Sequence, residues 1–261
     1  MLQSFAKGKY RVWMAADTGD VDRAQQLRYR SFHTRRGSFA PDSCDQQGRA
    51  SGGRDSDAFD AACQHVLIED IASATLVCCY RLLLIPAEGS LRSSYSAQFY
   101  DLAAVQRLPG AKLELGRFCL HPDWHDPDIL RLAWAAMTRV VDRAAVQLLF
   151  GCSSFDGANP DLHRAALVHL AAQHLAPARW QPGRRAAQIY AYADALRGVQ
   201  PHPTAALRAM PPLLRSYLAM GAWVSDHAVI DADLDTLHVL TCVEIAAIPP
   251  ARAKLLHALA Q

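Results

Sequence analysis

The chain has 261 residues, 51% of them hydrophobic and 20% charged, with a net charge of +2 at pH 7. That length can bury a substantial core, and the ordinary charged and aromatic content excludes a disordered chain. A charge so close to neutral provides no bulk field for nucleic acid. Basic residues do gather at Arg28, Arg30, Arg35 and Arg36 and again at Arg179, Arg184 and Arg185. Such clusters are either solvated faces or docking patches for an acidic partner or anionic lipid. Seven cysteines with no CxxC spacing, most of them in apolar runs (Cys78, Cys79, Cys119, Cys152, Cys242), predict reduced, buried thiols of a cytoplasmic protein. The opening MLQSFAKGKYRVWMAAD has no apolar core of the signal-peptide kind, and no stretch approaches the roughly 18 uncharged apolar residues of a membrane span.

Tyr10–Ala16 reads as a first strand, and Asp20–His33 as a helix with Val21, Ala24 and Leu27 on one stripe. Residues 37–57, rich in Gly, Ser and Asp, read as a long flexible loop, either a lid or a surface insertion. Gln64–Glu69 and Thr75–Ile85 are strand signals close enough to pair antiparallel. A short helix near Phe99–Leu108 precedes a strand at Lys112–Leu120 (KLELGRFCL), whose broken alternation predicts a bulge near Gly116. Asp128–Val146 is a helix carrying Arg131, Arg139 and Arg143 on one ridge. Leu148–Ser153 is a buried strand, and a helix runs from about Pro160 to Leu175. Ala186–Tyr192 and Leu234–Glu244 read as strands, Pro211–Met220 as a helix stopped at Gly221, and Ile248–Ala260 as a terminal helix. The expected fold is α/β: one domain over residues 1–261, built on a mostly antiparallel sheet. Its one parallel crossover joins strand 112–120 to strand 148–153 through the long helix.

Charged residues stand where a core should be apolar: Asp57 and Asp60 in DAFD, Arg81 in CCYRLLLIP, and Glu114 and Arg117 in ELGR. Buried charges require partners, so Arg81 and Arg117 are expected to pair with carboxylates of the other clusters, or all of them to form an ion-pair network on one exposed sheet face.

The run from Arg28 to about Leu240 resembles the ornithine N-acyltransferase family, hemolysin-like relatives of the GNAT acyltransferases. The resemblance rests on LRYRSF, DAFDAACQHVLIED, CCYRLLL, ELGRFCLHPDW, LLFGCSSF and PPLLRSYLAMGAWVSDHAVID, in that order. The shorter skeleton Arg28-x-x-x-Phe32, Asp57-x-x-Asp60, Arg81-Leu82 and Glu114-x-x-Arg117 is also similar to the N-acyl-homoserine-lactone synthases.

The resemblance implies a GNAT fold in which two parallel strands, here 112–120 and 148–154, splay around the pantetheine arm of the acyl donor. It implies transfer of a fatty acyl group, with or without a 3-hydroxyl, to the α-amine of ornithine. Glu114 would be the general base, acting directly or through one water. Asp57 and Asp60 would meet the substrate amines, Arg81 or Arg117 its α-carboxylate, and Arg28 and Phe32 complete the substrate site. Phe118, Cys119, Leu120, Ser153 and Ser154 would line the donor path. Many CoA-using relatives carry a Gly-rich loop before the long helix. The stretch here, HPDWHDPDIL, has no glycine, which points to acyl carrier protein as donor, with Arg131, Arg139 and Arg143 as docking residues.

No metal and no bound cofactor are expected beyond the phosphopantetheine of the carrier. A peripheral contact with the inner face of the membrane is compatible with a lipid product. Other readings stay open: a lactone synthase using S-adenosylmethionine, an N-acyltransferase for another amino acid, or a degenerate module that binds carrier protein without turnover. GCSSF lacks the closing glycine of a serine nucleophile elbow, and Cys152 reads as core.

Overall fold

The structure, a computed structural model, describes residues 2–34 and 53–260. Arg35, Arg36 and residues 37–52 of the long loop therefore lie outside the described residues. In chain order the first elements are β1 (Phe5–Lys7), β2 (Tyr10–Met14), α1 (Thr18–Thr34), β3 (Gln64–Asp70) and β4 (Thr75–Ile85). They are followed by β5 (Tyr100–Asp101), α2 (Ala103–Gln106), β6 (Ala111–Leu120), α3 (Pro127–Arg143) and β7 (Val146–Asp156). After these come α4 (Arg164–Gln173), β8 (Gly183–Arg184), β9 (Ile189–Tyr190), α5 (Tyr192–Ala195), α6 (Pro203–Ala209) and α7 (Pro212–Leu218). The chain closes with β10 (Trp223–Val224), β11 (Ala228–Asp231), β12 (Thr236–Glu244) and α8 (Pro250–Ala260). Two compact units share these elements. The first comprises Met1–Leu83, Leu115–Ala144 and Lys254–Gln261, the second Leu84–Glu114 and Ala145–Ala253.

In the first unit β1, β2, β3 and β4 pair antiparallel in sequence order, and β6 follows β4. Alternation along each strand sends Leu67 and Cys79 to the face covered by Ala24 and Leu27 of α1. Tyr80 points the other way and donates its hydroxyl to the Ala133 carbonyl of α3 at 3.1 Å. Cover on both faces explains why these strands read as near-continuous apolar runs rather than alternating ones. α3 starts where Asp126 caps it, its side chain accepting from the Asp128 N–H, with Pro127 in the first turn.

In the second unit β6 runs parallel to β7, Leu113 opposite Leu149 and Glu114 opposite Phe150. A parallel pair requires a crossover, and α3 is the helix in that connection. β12 pairs antiparallel with β7 from Thr236↔Asp156 to Glu244↔Leu148, and β11, β9 and β10 extend this sheet. Phe155, Leu237 and Val239 pack on one face against Leu167 and Leu170 of α4, Ala206 of α6 and Leu214 of α7. Their neighbours Ser154 and His238, which pair across the strands, turn to the other face.

The mixed sheet with one parallel pair is the expected fold class. Differences arise where elements are short. The strand expected at Ala186–Tyr192 shrinks to Ile189–Tyr190, and the helix near Phe99–Leu108 to Ala103–Gln106. The helix expected from Pro160 begins as a 3-10 turn, Pro160–His163, capped by Asn159. After α7, Gly221 takes φ +84°, with no atom nearer than 3.5 Å to a Cβ built there. Gly221→Ala is therefore strained without a clash, and is expected to lower unfolding free energy by about 1–2 kcal/mol in urea titrations.

Candidate functional site

Three arginines and three aspartates of the first unit meet in one cluster. Arg28, on α1, is 1% exposed and donates from Nη1 to Asp60 Oδ1 at 2.7 Å, from Nη2 to Asp60 Oδ2 at 2.9 Å and from Nε to Asp55 Oδ2 at 2.9 Å. Arg81, on β4, donates to Asp57 Oδ1 at 2.5 Å, Asp57 Oδ2 at 2.9 Å and Asp60 Oδ1 at 2.8 Å. Arg117, on β6, donates to Asp57 Oδ2 at 3.1 Å, and its Nε lies 3.3 Å from Asp55 Oδ2. The side chain of Gln25 donates to Asp60 Oδ2 at 2.9 Å. The formal charges cancel, which is the condition for a buried ionic cluster to persist.

Local structure explains the convergence. Residues 57–63 form a turn whose Phe59 N–H donates to Asp57 Oδ1. Arg81 shares the α1 face of β4 with Cys79, two residues earlier. The irregularity expected near Gly116 falls on Arg117, held at φ 51°. A left-handed arginine costs about 1–2 kcal/mol, so the carboxylates that engage it hold a strained backbone in place.

Burial works against ionisation of Asp57 and Asp60, but the Arg81 guanidinium beside Asp57 and the Arg28 guanidinium beside Asp60 hold both carboxyls below the usual carboxylate range. Because the folded values are depressed, their stabilisation is complete above the unfolded carboxylate pKa, about 3.9. It is lost as pH falls through the folded values. Urea titrations should therefore show this contribution unchanged between pH 7 and 5 and falling below about pH 4, with Asp57→Asn removing part of that fall.

Glu114 occupies a different environment, in the second unit. It is buried, and its Oε1 accepts from the Ser96 N–H at 2.7 Å and the Ser96 hydroxyl at 2.6 Å. Its Oε2 accepts from the Tyr95 N–H at 2.9 Å. The carboxylate thus anchors the 3-10 turn Ser96–Gln98, and the Cys152 thiol reaches the same Ser96 hydroxyl at 3.5 Å.

The other expected residues are distributed as follows. Phe32 is half-buried, with the Arg117 guanidinium 5.8 Å from its ring centroid. Phe118 stacks on Tyr80 at 5.5 Å, Cys119 lies in the core beside Cys79, and the Leu120 carbonyl accepts from the Ser31 hydroxyl at 2.9 Å. Ser153 is buried and accepts from the Thr241 hydroxyl at 2.8 Å, whereas Ser154 is exposed. Burial pushes the thiols of Cys78, Cys119 and Cys242 up, leaving them inert, while Cys152, expected in the core, is half-buried. The arginine ridge of α3 is not uniform. Arg131 and Arg143 are exposed, Arg131 paired with Asp128, but Arg139 lies over the Phe5 ring at 3.8 Å and donates to the Ala260 carbonyl at 2.7 Å.

Asp55 and Gln25 are not evident from the sequence. Asp55 is one acidic residue in a loop rich in them, and only the α1 stripe could have pointed to Gln25. Among the described residues no three His, Cys, Asp or Glu side chains converge as metal ligands, and no helix is long and apolar enough to cross a membrane.

Residues 27–135, which hold this cluster and Glu114, match the model of the acetyltransferase (GNAT) domain family. Across nearly the whole chain the sequence is similar to curated L-ornithine N(alpha)-acyltransferases. It is 31% identical over 243 residues to that of Rhizobium meliloti (strain 1021), covering 90% of this chain and 80% of the relative. It is 32% identical over 248 residues to that of Brucella abortus (strain 2308), covering 91% and 85%. Among solved structures, FeeM, an N-acyl amino acid synthase from uncultured soil microbes, superposes with a TM-score of 0.51 at 8% identity, covering 92% of this chain and 94% of that one; this likeness bears on the fold. The match of the two acyltransferases over most of both chains, joined to the GNAT domain, places this chain in the L-ornithine N(alpha)-acyltransferase family, as an N-acyltransferase of GNAT fold.

Proposed function

We propose that the enzyme transfers a fatty acyl group from acyl carrier protein to the α-amine of L-ornithine, giving a lyso-ornithine lipid. The observation that supports a carrier-protein donor is the start of α3. A CoA pyrophosphate needs free amides and positive potential at that helix N-terminus. Here Asp126 already occupies it as the cap, Pro127 has no N–H, and Asp128 adds a second carboxylate. Asp126 is itself held by the Tyr10 hydroxyl at 2.8 Å and Lys9 Nζ at 3.2 Å. An anion is repelled there. A carrier protein presents phosphopantetheine, without the nucleotide and pyrophosphate of CoA, and needs no such cradle, and exposed Arg131 and Arg143 suit its acidic surface.

In this reading the α-amine attacks the thioester carbonyl, Glu114 takes the amine's proton directly or through one water, and the tetrahedral intermediate expels the carrier thiol. The donor arm follows β7 past Ser153 and Ser154. Arg117, more exposed than Arg28 or Arg81, receives the α-carboxylate, with Phe32 beside it. Asp57, Asp60 and Arg28 hold Arg81 and Arg117 in place. The product is a lipid, and the protein works in the cytoplasm or against the inner face of the membrane.

The test is incubation of the purified protein with acyl carrier protein or acyl-CoA donors and a set of amino acids, read by mass spectrometry. N-acyl-ornithine from the carrier donor alone is the expected result. Product from acyl-CoA at equal rate would remove the donor assignment, and product on another amine the ornithine assignment. Carrier binding without any product would leave a binding module.

A further inference from the structure

On the second unit's sheet face that carries Ser154 and His238 lies a polar cluster the reaction above does not use. His227 is fully buried and His238 is 2% exposed, and both contact the ring of Tyr100, at centroid distances of 5.2 and 5.7 Å. The Nε2 atoms of both imidazoles are buried without a hydrogen-bond partner. Buried polar atoms are nearly always paired, so two orphans on one tyrosine ring call for a ligand group.

The partners of the other ring nitrogens define what that group must offer. His227 Nδ1 lies 2.6 Å from Asp226 Oδ1, and a carboxylate can only accept, so Nδ1 carries the proton. The Tyr100 hydroxyl spends its own proton on the His238 carbonyl at 2.9 Å. Its oxygen, 3.2 Å from His238 Nδ1, is therefore the acceptor of that N–H. His238 then presents a lone pair at Nε2, and so does His227 in its neutral form. Burial pushes His238 down to about 4, so it remains an acceptor at neutral pH. Ser225 is already committed, donating to the His227 carbonyl at 2.7 Å and accepting from the Leu240 N–H at 3.1 Å.

Two unpartnered acceptors against one tyrosine ring fit a group with several N–H donors and a positive charge. We propose that His227 and His238 receive the side-chain ammonium of a diamino acid, the amine that is not acylated, with Asp226 fixing the tautomer of His227. This rests on the reading that the acceptor is ornithine, and it makes the two histidines determinants of that choice. The spacing is compatible. Glu114 pairs with Phe150, which shares a strand face with Cys152 and Ser154, and Ser154 pairs with His238, so Glu114 and His238 emerge on one face. Their strands, β6 and β12, are two strand spacings apart, about 10 Å. Their partners on β7 are four residues apart, about 13 Å along the strand, which puts the two Cα atoms about 16 Å apart. The two amines of extended ornithine are about 6 Å apart by ordinary bond lengths, and the glutamate and histidine side chains span the remainder.

The experiment compares ornithine with norvaline, the same carbon skeleton without the side-chain amine, using the whole enzyme and one carrier-bound acyl donor. A site built around hydrogen bonds to a substrate group rejects the analogue that lacks it, so wild type should favour ornithine by on the order of 10,000-fold in kcat/KM. His238→Leu should reduce that ratio at least tenfold, by raising KM for ornithine. Asp226→Asn, at a half-buried position where folding is less at risk, should reduce it in the same direction. An unchanged ratio in Asp226→Asn, or a wild type that does not discriminate, overturns the proposal while leaving acyl transfer intact. A wild type that acylates neither amine overturns the ornithine reading itself.

Discussion

Asp60→Asn is expected to destabilise the protein by about 3–5 kcal/mol, the usual result of removing one partner from a buried ion pair. Asp60 accepts from Arg28, Arg81 and Gln25, and two of these donors are charged side chains with almost no exposure. Asparagine keeps the size but removes the charge and turns an N–H₂ toward guanidinium groups, leaving three buried arginines against two aspartates. Arg28→Met in the same chain restores the balance. The double variant should therefore be more stable than the sum of the single effects, with a coupling of about 1–3 kcal/mol. Asp22→Asn is the comparison, because Asp22 pairs with Arg54 across an exposed surface. Its loss should cost less than about 1 kcal/mol. Urea unfolding of the four variants measures all of this. A cost below about 1 kcal/mol for Asp60→Asn would mean that water enters the cluster and screens it.

That cluster was partly legible in the sequence, for a physical reason. A charge in an apolar strand is conspicuous, and Arg81 and Arg117 can pair only with carboxylates, which DAFD supplies. The central position of Arg28 was not legible, because an arginine on a helix normally faces water. Asp55 was hidden by its loop, where Gly, Ser and Asp carry no period to read. The same contrast holds for the fold. β3, β4, α3 and β7 were readable because length and burial write a pattern many residues long. β1, β10 and β11 were not, since two to four residues carry no period. His227 and His238 carry no signal of their own, because nothing local marks a histidine whose far nitrogen has no partner. That fact depends on Tyr100, 138 residues away from His238 in the chain. The anchoring of Glu114 is hidden likewise, since its donors are two backbone amides and one serine hydroxyl of a short turn remote in sequence.

Glu114→Gln is expected to lower kcat by on the order of 100- to 10,000-fold, the range typical of a lost general base. The substitution also has a structural consequence that must be separated from the chemical one. Oε1 receives two donors from Ser96 and Oε2 receives the Tyr95 N–H, so either orientation of a glutamine amide sets its N–H₂ against an existing donor. Such a mismatch in a buried site costs about 1–3 kcal/mol and disturbs the turn at Ser96–Gln98. Ser96→Ala provides the separation, because it removes the hydroxyl at 2.6 Å and leaves the carboxylate and both backbone donors. If Glu114 only braces the turn, the two variants should lose comparable activity and the pH profile of kcat/KM should keep its wild-type shape. If Glu114 takes the proton, Glu114→Gln should lose at least tenfold more than Ser96→Ala, and the acidic limb of the profile should disappear in Glu114→Gln alone. Equal losses with an unaltered acidic limb would assign the proton transfer to another group, and Glu114 would remain as the residue that shapes the turn beside the acyl path.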